Sequence, residues 1–297
     1  MVVAIVLATL EGILQAAALV APAIIRTTRP EPADAVRILV VGDSHAGGGG
    51  VPKDENLPAH LERLLTERHP NRDFRVLNLG LPGVNSPWVA NRLERNIRAY
   101  DPDLIISWVG MNDTWNATET DAWGHGSWGL AMRRMLLRSK VFRLAVIFWH
   151  TSGYDAERTS KQIQHASRHV ANPRPYGLAR GLGFDLERMA ATAREHGVPI
   201  IFMNYPVPYA VVNETIEREA TKLRVPVIDS VHDVMRARGD GHDQAELLTL
   251  AADPHPTGLL YRYIAESTLP VVEKLLRERV AATPAYGSSE RCLPRTV

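Results

Sequence analysis

Short apolar runs rich in β-branched residues alternate along most of this chain with longer stretches whose apolar residues recur at helical spacing, and few folds accommodate that alternation. Arg37–Val41 is the first such run, followed at once by Gly42-Asp43-Ser44. From Asn56 to Arg68 the residues Leu57, Leu61, Leu64 and Leu65 share one helix face. Phe74–Leu79 predicts a second strand, ending in Gly80-Leu81-Pro82-Gly83, and Trp88–Ala99 a second helix. Leu104–Val109 predicts a third strand, ending in Gly110-Met111-Asn112-Asp113. Then come a helix near Phe184–His196, a strand at Pro199–Met203, a helix over Val211–Leu223 and a strand at Val225–Ile228 that ends at Asp229. A long helix, about Gly258–Val280, closes the pattern. Continuous apolar strands separated by helices indicate a parallel sheet covered on both faces. Right-handed crossovers then lead to an α/β fold, a three-layer α/β/α sandwich around a five-stranded parallel sheet.

With 297 residues, 45% of them hydrophobic, the chain can bury a full core. Its 34 Lys and Arg against 33 Asp and Glu argue against a nucleic-acid partner and against an acidic disordered tail. One cysteine, Cys292, excludes an intramolecular disulfide framework and a Cys-based zinc cluster.

The amino terminus stands apart. Val2–Ile25 carries a single charge, Glu11, and exceeds the roughly 20 apolar residues that cross a bilayer. Residues 1–26 therefore read as an N-terminal hydrophobic segment that anchors the chain in a membrane, against the alternative of a docked helix. Arg26 and Arg29 follow it, which by the positive-inside rule keeps the remainder cytoplasmic. Residues 27–35, with Pro30 and Pro32, read as a linker, and 282–297 as a flexible tail.

In open α/β sheets the carboxyl ends of the strands share one edge, and ligands bind there. Ser44, Gly83 and Asn112 each lie just past such an end. Ser44 offers a hydroxyl on a tight turn at a helix start, where backbone N–H groups point outward. Gly83 offers an N–H with no side chain in the way, and Asn112 a side-chain amide donor. A hydroxyl beside convergent donors suits attack on a carbonyl with stabilisation of the oxyanion. The base is His255, in Ala252-Asp253-Pro254-His255-Pro256, after the last strand and before the final helix.

Gly42-Asp43-Ser44, Gly83, Gly110-Met111-Asn112-Asp113 and Asp253-Pro254-His255-Pro256 resemble, in order, the four blocks of the SGNH (GDSL-type) hydrolases. The resemblance runs from about residue 36 to 281 and implies a flavodoxin-like hydrolase domain over that span. It implies Ser44 as nucleophile, the Ser44 and Gly83 N–H groups with the Asn112 side chain as oxyanion hole, and His255 as general base and then acid. It implies no cofactor and no metal, and favours an extracytoplasmic catalytic domain, opposite to the basic residues after the anchor. The acidic partner in this family usually sits three residues before the histidine, where this chain has Ala252. Asp253 is then either the catalytic acid, reaching His255 through a different turn, or a cap on the final helix. His45 departs from the commoner residues after the nucleophile and is expected to pack locally.

A helical insertion spans about 114–182, longer than any ordinary loop. Within it Trp128–His150 is apolar with Arg133, Arg134, Arg138, Lys140 and Arg143 interspersed. That pattern fits a lid walled by Trp115, Trp123 and Trp128, or a basic helix on a membrane surface. The Gly47–Gly50 run reads as flexible backbone beside Ser44, His165 and His169 as a solvated face, and Asp240, His242 and Asp243 as a polar loop. Asn116-Ala117-Thr118 and Asn213-Glu214-Thr215 match glycosylation sequons.

Three functions fit these residues. The first is a serine-dependent hydrolase of a carboxylic ester, a lipid or an O-acetyl sugar. The second is an O-acyltransferase acting on a cell-envelope polysaccharide, and the third a non-catalytic carbohydrate-binding protein on the same fold. The sequence does not set the oligomeric state.

Overall fold

Strand β1 (Val36–Gly42) lies between β2 (Phe74–Gly80) and β3 (Leu104–Trp108), and β4 (Ile200–Met203) and β5 (Val227–Ile228) extend the sheet beyond β3. The order is β2-β1-β3-β4-β5 and every pairing is parallel. Ile38 pairs with Val76 on one side and with Leu104 on the other. The computed structural model describes residues 9–15, 34–114, 116, 139, 141, 174–207, 209–249 and 254–282.

Burial explains the unbroken apolar runs. Ile38, Leu39, Val40, Leu104, Ile105 and Ile106 are fully buried although successive side chains point to opposite faces, so both faces are covered. On one face α2 (Leu57–Arg68) and α6 (Ser230–Gly239) pack against the long closing helix α8 (Gly258–Ala282). On the other, α4 (Arg174–Glu195) packs between α3 (Ser86–Tyr100) and α5 (Ala210–Leu223). Two short helices, α1 (Ser44–Gly47) and α7 (Gln244–Leu247), flank the edge where the strands end. This is the expected three-layer sandwich, with the strand order of flavodoxin-like sheets.

Helix starts follow local chemistry. Asn56 caps α2 by accepting from the Ala59 N–H at 3.0 Å, and Asn85 caps α3 by accepting from the Trp88 N–H at 3.2 Å. The cap and Pro87 place the α3 start at Ser86, ahead of the apolar periodicity that pointed to Trp88. Helix α4 begins at Arg174 rather than near Phe184, inside the span read as insertion. Helices α6 and α7 were not expected. Asp229 accepts from the Val231 and His232 N–H groups at the head of α6, and Asp243 and Glu246 form a capping box on α7.

Among the described residues no helix is long and apolar enough to cross a membrane. Of the N-terminal segment only residues 9–15 are described, and they are helical. The Glu11 carboxylate accepts from Ser139 Oγ at 2.8 Å and from the Val141 N–H at 2.9 Å. Most of the linker and of the insertion, and the tail after Ala282, lie outside the described residues.

Candidate active site

The turn after β1 carries the first group. A Cβ on Gly42, whose φ is +149°, would sit 1.9 Å from the Trp108 carbonyl oxygen, so only glycine lets β1 and β3 close here. The Asp43 N–H donates to that carbonyl at 3.1 Å. Asp43 then caps α1, accepting from the His45 N–H at 2.9 Å, and Ser44 is the first helical residue. Neither ring nitrogen of the fully buried His45 has a hydrogen-bond partner among the described residues.

His255 arrives from far along the chain. The loop before it is closed by a bridge between Leu248 and Pro256. A two-way clamp reinforces the closure: the His255 N–H donates to Thr249 Oγ1, and the Thr249 N–H to the His255 carbonyl, each at 2.9 Å. The result sets His255 Nε2 2.7 Å from Ser44 Oγ, within hydrogen-bond distance. Gly49 lies against both groups, since a Cβ there would come within 3.2 Å of Ser44 Cβ and of the His255 ring. The glycine run therefore wraps the pair: Gly48 caps α1 in a left-handed conformation, and the Gly49 N–H donates to the Ser44 carbonyl.

Direct hydrogen bonds link the β2 end to this turn and the β3 end to the turn after β2. The Leu81 N–H donates to the Gly42 carbonyl at 2.9 Å. Asn112 Nδ2 donates to the Val84 carbonyl at 2.9 Å, and Asn116 Nδ2 to the Gly83 carbonyl at 2.7 Å. Gly83 adopts φ +76°, which a larger residue resists. Among the described residues neither the Ser44 N–H nor the Gly83 N–H donates to another backbone or side-chain group. The residues read as nucleophile, base and oxyanion donors thus share one edge of the sheet.

Two buried polar systems support that edge, and sequence reading found neither. In the first, Tyr205 Oη donates to Asp43 Oδ2 at 2.6 Å and accepts from the Met111 N–H at 3.1 Å. Burial foremost, and then the Asp43 carboxylate, hold this phenol far above its ordinary range, so it stays protonated. In the second, Ser86 Oγ lies 2.5 Å from Asp113 Oδ2 and 3.0 Å from Asp185 Oδ2, while the Ser86 N–H donates to Asp113 Oδ1. Burial pushes the Asp113 carboxyl up to about 7, with Asp185 and Asp43 adding to the shift and the Ser86 hydrogen bonds opposing it. The position of Tyr205 two residues past β4 was the available signal for the first system. For the second it was Asp113 beside Asn112.

Asp253 and Ala252 lie outside the described residues, as do Trp115, Trp123, Trp128, His165 and His169. Asp240 accepts from Tyr263 Oη at 2.7 Å, and Asp243 serves as a helix cap. Asn213 is buried with its amide bonded to both the Tyr205 N–H and carbonyl, so this sequon is not open to a glycan. Among the described residues no group of three or more His, Cys, Asp or Glu side chains is placed to hold a metal ion.

Residues 40–263 match the GDSL-like lipase/acylhydrolase family. Comparison with curated proteins finds no significant match. Among solved structures, a family 3 carbohydrate esterase from Clostridium thermocellum superposes with a TM-score of 0.50 at 15% identity, over 82% of this chain and 98% of its own. An acetylxylan esterase from Geobacillus stearothermophilus, solved as a catalytic mutant, gives 0.50 at 14% identity, over 81% and 95%. At such identities the likeness concerns the fold.

Proposed function

Because this chain belongs to the GDSL-like lipase/acylhydrolase family and is an esterase of the SGNH type, we propose that it hydrolyses a carboxylic ester through an acyl intermediate on Ser44. The observation that carries the reading is the 2.7 Å approach of His255 Nε2 to Ser44 Oγ. A nucleophile needs a base within that reach, and no other described histidine approaches the Ser44 hydroxyl so closely.

In the proposed sequence Ser44 Oγ attacks the ester carbonyl carbon while His255 Nε2 takes the hydroxyl proton. The carbonyl oxygen becomes an oxyanion and is met by the Ser44 and Gly83 N–H groups and the Asn112 amide. Collapse breaks the bond to the alcohol oxygen, and His255 returns its proton to that oxygen. Water, deprotonated by the same imidazole, then attacks the acyl carbon, releasing the acid and restoring Ser44. His255 becomes an imidazolium in both halves. Asp253 is proposed as the residue that orients it, on its place two residues before His255.

O-acetylated carbohydrate is the proposed substrate class, supported by the likeness in fold to a carbohydrate esterase and an acetylxylan esterase. Segment 2–25 is proposed to attach the chain to a membrane, on its length and hydropathy.

The test is fluorophosphonate labelling together with p-nitrophenyl acetate turnover, on the full chain and its Ser44→Ala variant. Both signals should vanish with the substitution. Turnover that survives Ser44→Ala would remove Ser44 as nucleophile. Product analysis on acetylated xylan in the presence of free sugar then separates hydrolysis, which releases acetate, from transfer, which does not.

A further inference from the structure

We propose that His45 is a positioning residue for the base, presenting its ring face to His255 so as to hold that ring in line with Ser44 and stabilise it as an imidazolium. The inference rests on the Ser44–His255 reading above and deepens it.

The two imidazoles are stacked, with ring centroids 4.3 Å apart and planes 22° from parallel. His45 is wholly excluded from solvent, and neither of its ring nitrogens has a hydrogen-bond partner among the described residues. A buried polar ring left without partners is destabilising, and an aliphatic side chain would fill this place without that penalty. What the imidazole contributes instead is its face. Tyr205 meets that ring edge-on, with centroids 4.9 Å apart and planes at 85°, and Trp108 meets it at 5.5 Å. These rings hold the plane of His45, and the His255 ring lies against its face.

Asp43 supplies the charge. Its Oδ1 lies 3.6 Å from His45 Nδ1, too long for a hydrogen bond but close enough to polarise the ring. The electropositive ring edge is drawn toward this buried carboxylate and the face is left electron-rich. An aromatic face attracts a cation stacked on it, most strongly where water is excluded. The interaction is therefore worth more once His255 has taken the serine proton than before, which is the condition for lowering a barrier.

The ionisable groups shown against this pair are Asp43, Tyr205 and, from α8, Tyr261, with Asp113 coupled to Asp43 from beyond β3. Burial holds both phenols above their ordinary range, so neither changes charge near neutrality. Burial pushes the Asp113 carboxyl up to about 7, and this group is present in the wild type and in every His45 variant alike. A difference between variants therefore isolates the stack.

The experiment compares His45→Leu and His45→Phe with the wild-type full chain by the pH dependence of kcat and KM, after fluorophosphonate labelling has shown that each retains a reactive Ser44. Leucine removes the face, whereas phenylalanine keeps it without ring nitrogens. Expected for His45→Leu is a fall in kcat of up to about tenfold with KM unchanged, and an acid limb moved to lower pH by up to about one unit. Expected for His45→Phe is a rate within about threefold of wild type and an unmoved limb. A leucine variant that loses rate with its acid limb in place would mean plain packing and overturns the inference, as does one that matches wild type throughout. Should leucine prevent folding, His45→Phe decides alone, because a tenfold loss there removes the face as the active element. A folded wild type that does not label overturns the Ser44–His255 reading itself, an outcome distinct from all of these.

Discussion

Ser86 Oγ lies 2.5 Å from Asp113 Oδ2 while also lying 3.0 Å from Asp185 Oδ2. A hydroxyl has one proton and donates once. Burial pushes the Asp113 carboxyl up to about 7, and when it is protonated its O–H can donate to Ser86 Oγ while the Ser86 hydroxyl donates to Asp185. This network joins the turn that carries Gly83 to the turn that carries Asn112.

The pH dependence of stability follows. Folding raises the Asp113 carboxyl from 3.8 to about 7. The folded state thus binds more protons between these values, and stability from this group falls as pH rises from about 4 to about 7 and is level above that. The change is on the order of 4 kcal/mol. Asp113→Asn keeps an acceptor for the Ser86 N–H and never ionises, so its melting temperature should vary less between pH 5 and pH 8 than that of wild type. Parallel melting curves for the two proteins across that range would rule out Asp113 as the titrating group.

Asn112→Ala removes the proposed side-chain donor to the oxyanion. Loss of one such donor lowers turnover on the order of 100-fold or more. The variant should still fold, because the amide's bond to the Val84 carbonyl lies in a turn at the sheet edge and not in the apolar core. Steady-state kinetics beside circular dichroism reads both properties, and a folded variant with most of its turnover would contradict the assignment.

Tyr205→Phe leaves the buried Asp43 carboxylate with one donor fewer and the Met111 N–H without its acceptor. Unpairing buried groups costs roughly 1–3 kcal/mol each. Chemical denaturation should show a loss in that range, with an unchanged slope against denaturant concentration. A loss under about 0.5 kcal/mol would mean that the phenol is not the bridge between these two turns.

Gly49→Ala introduces a Cβ within 3.2 Å of Ser44 Cβ and of the His255 ring. The imidazole must shift by a few tenths of an ångström, and misplaced reacting groups slow catalysis steeply. Turnover of p-nitrophenyl acetate should fall at least about tenfold with little change in melting temperature. Unaltered turnover would show that the glycine run does not shape the pair.

Much of the sandwich was legible because its signals are local. Ile38 to Val41 and Leu104 to Val109 are continuous apolar runs, which strands buried on both faces must be. Ser44, Asn112 and His255 were singled out because each follows such a run or precedes a strongly periodic helix, whereas the close approach of Gly42 to Trp108 came only with the structure. The misses were of two kinds. Helices α4 and α6 start on caps or polar stretches that hydrophobic periodicity does not mark. Tyr205, Ser86 and Asp185 look like ordinary residues in isolation, since each acquires its role from partners far away in the chain.

The sequence by itself determined the order of strands and helices, the class of sheet and the residues presented at the strand ends, because apolar periodicity and turn chemistry act over a few residues. Tertiary structure alone decided that Tyr205 reaches Asp43, 162 positions earlier, that Ser86 meets Asp185 across 99, and that the ring of His45 lies flat against that of His255. Hydrogen bonds and ring stacking depend on separations and angles good to a few tenths of an ångström. Those are set only when the sheet has closed and its helices have packed.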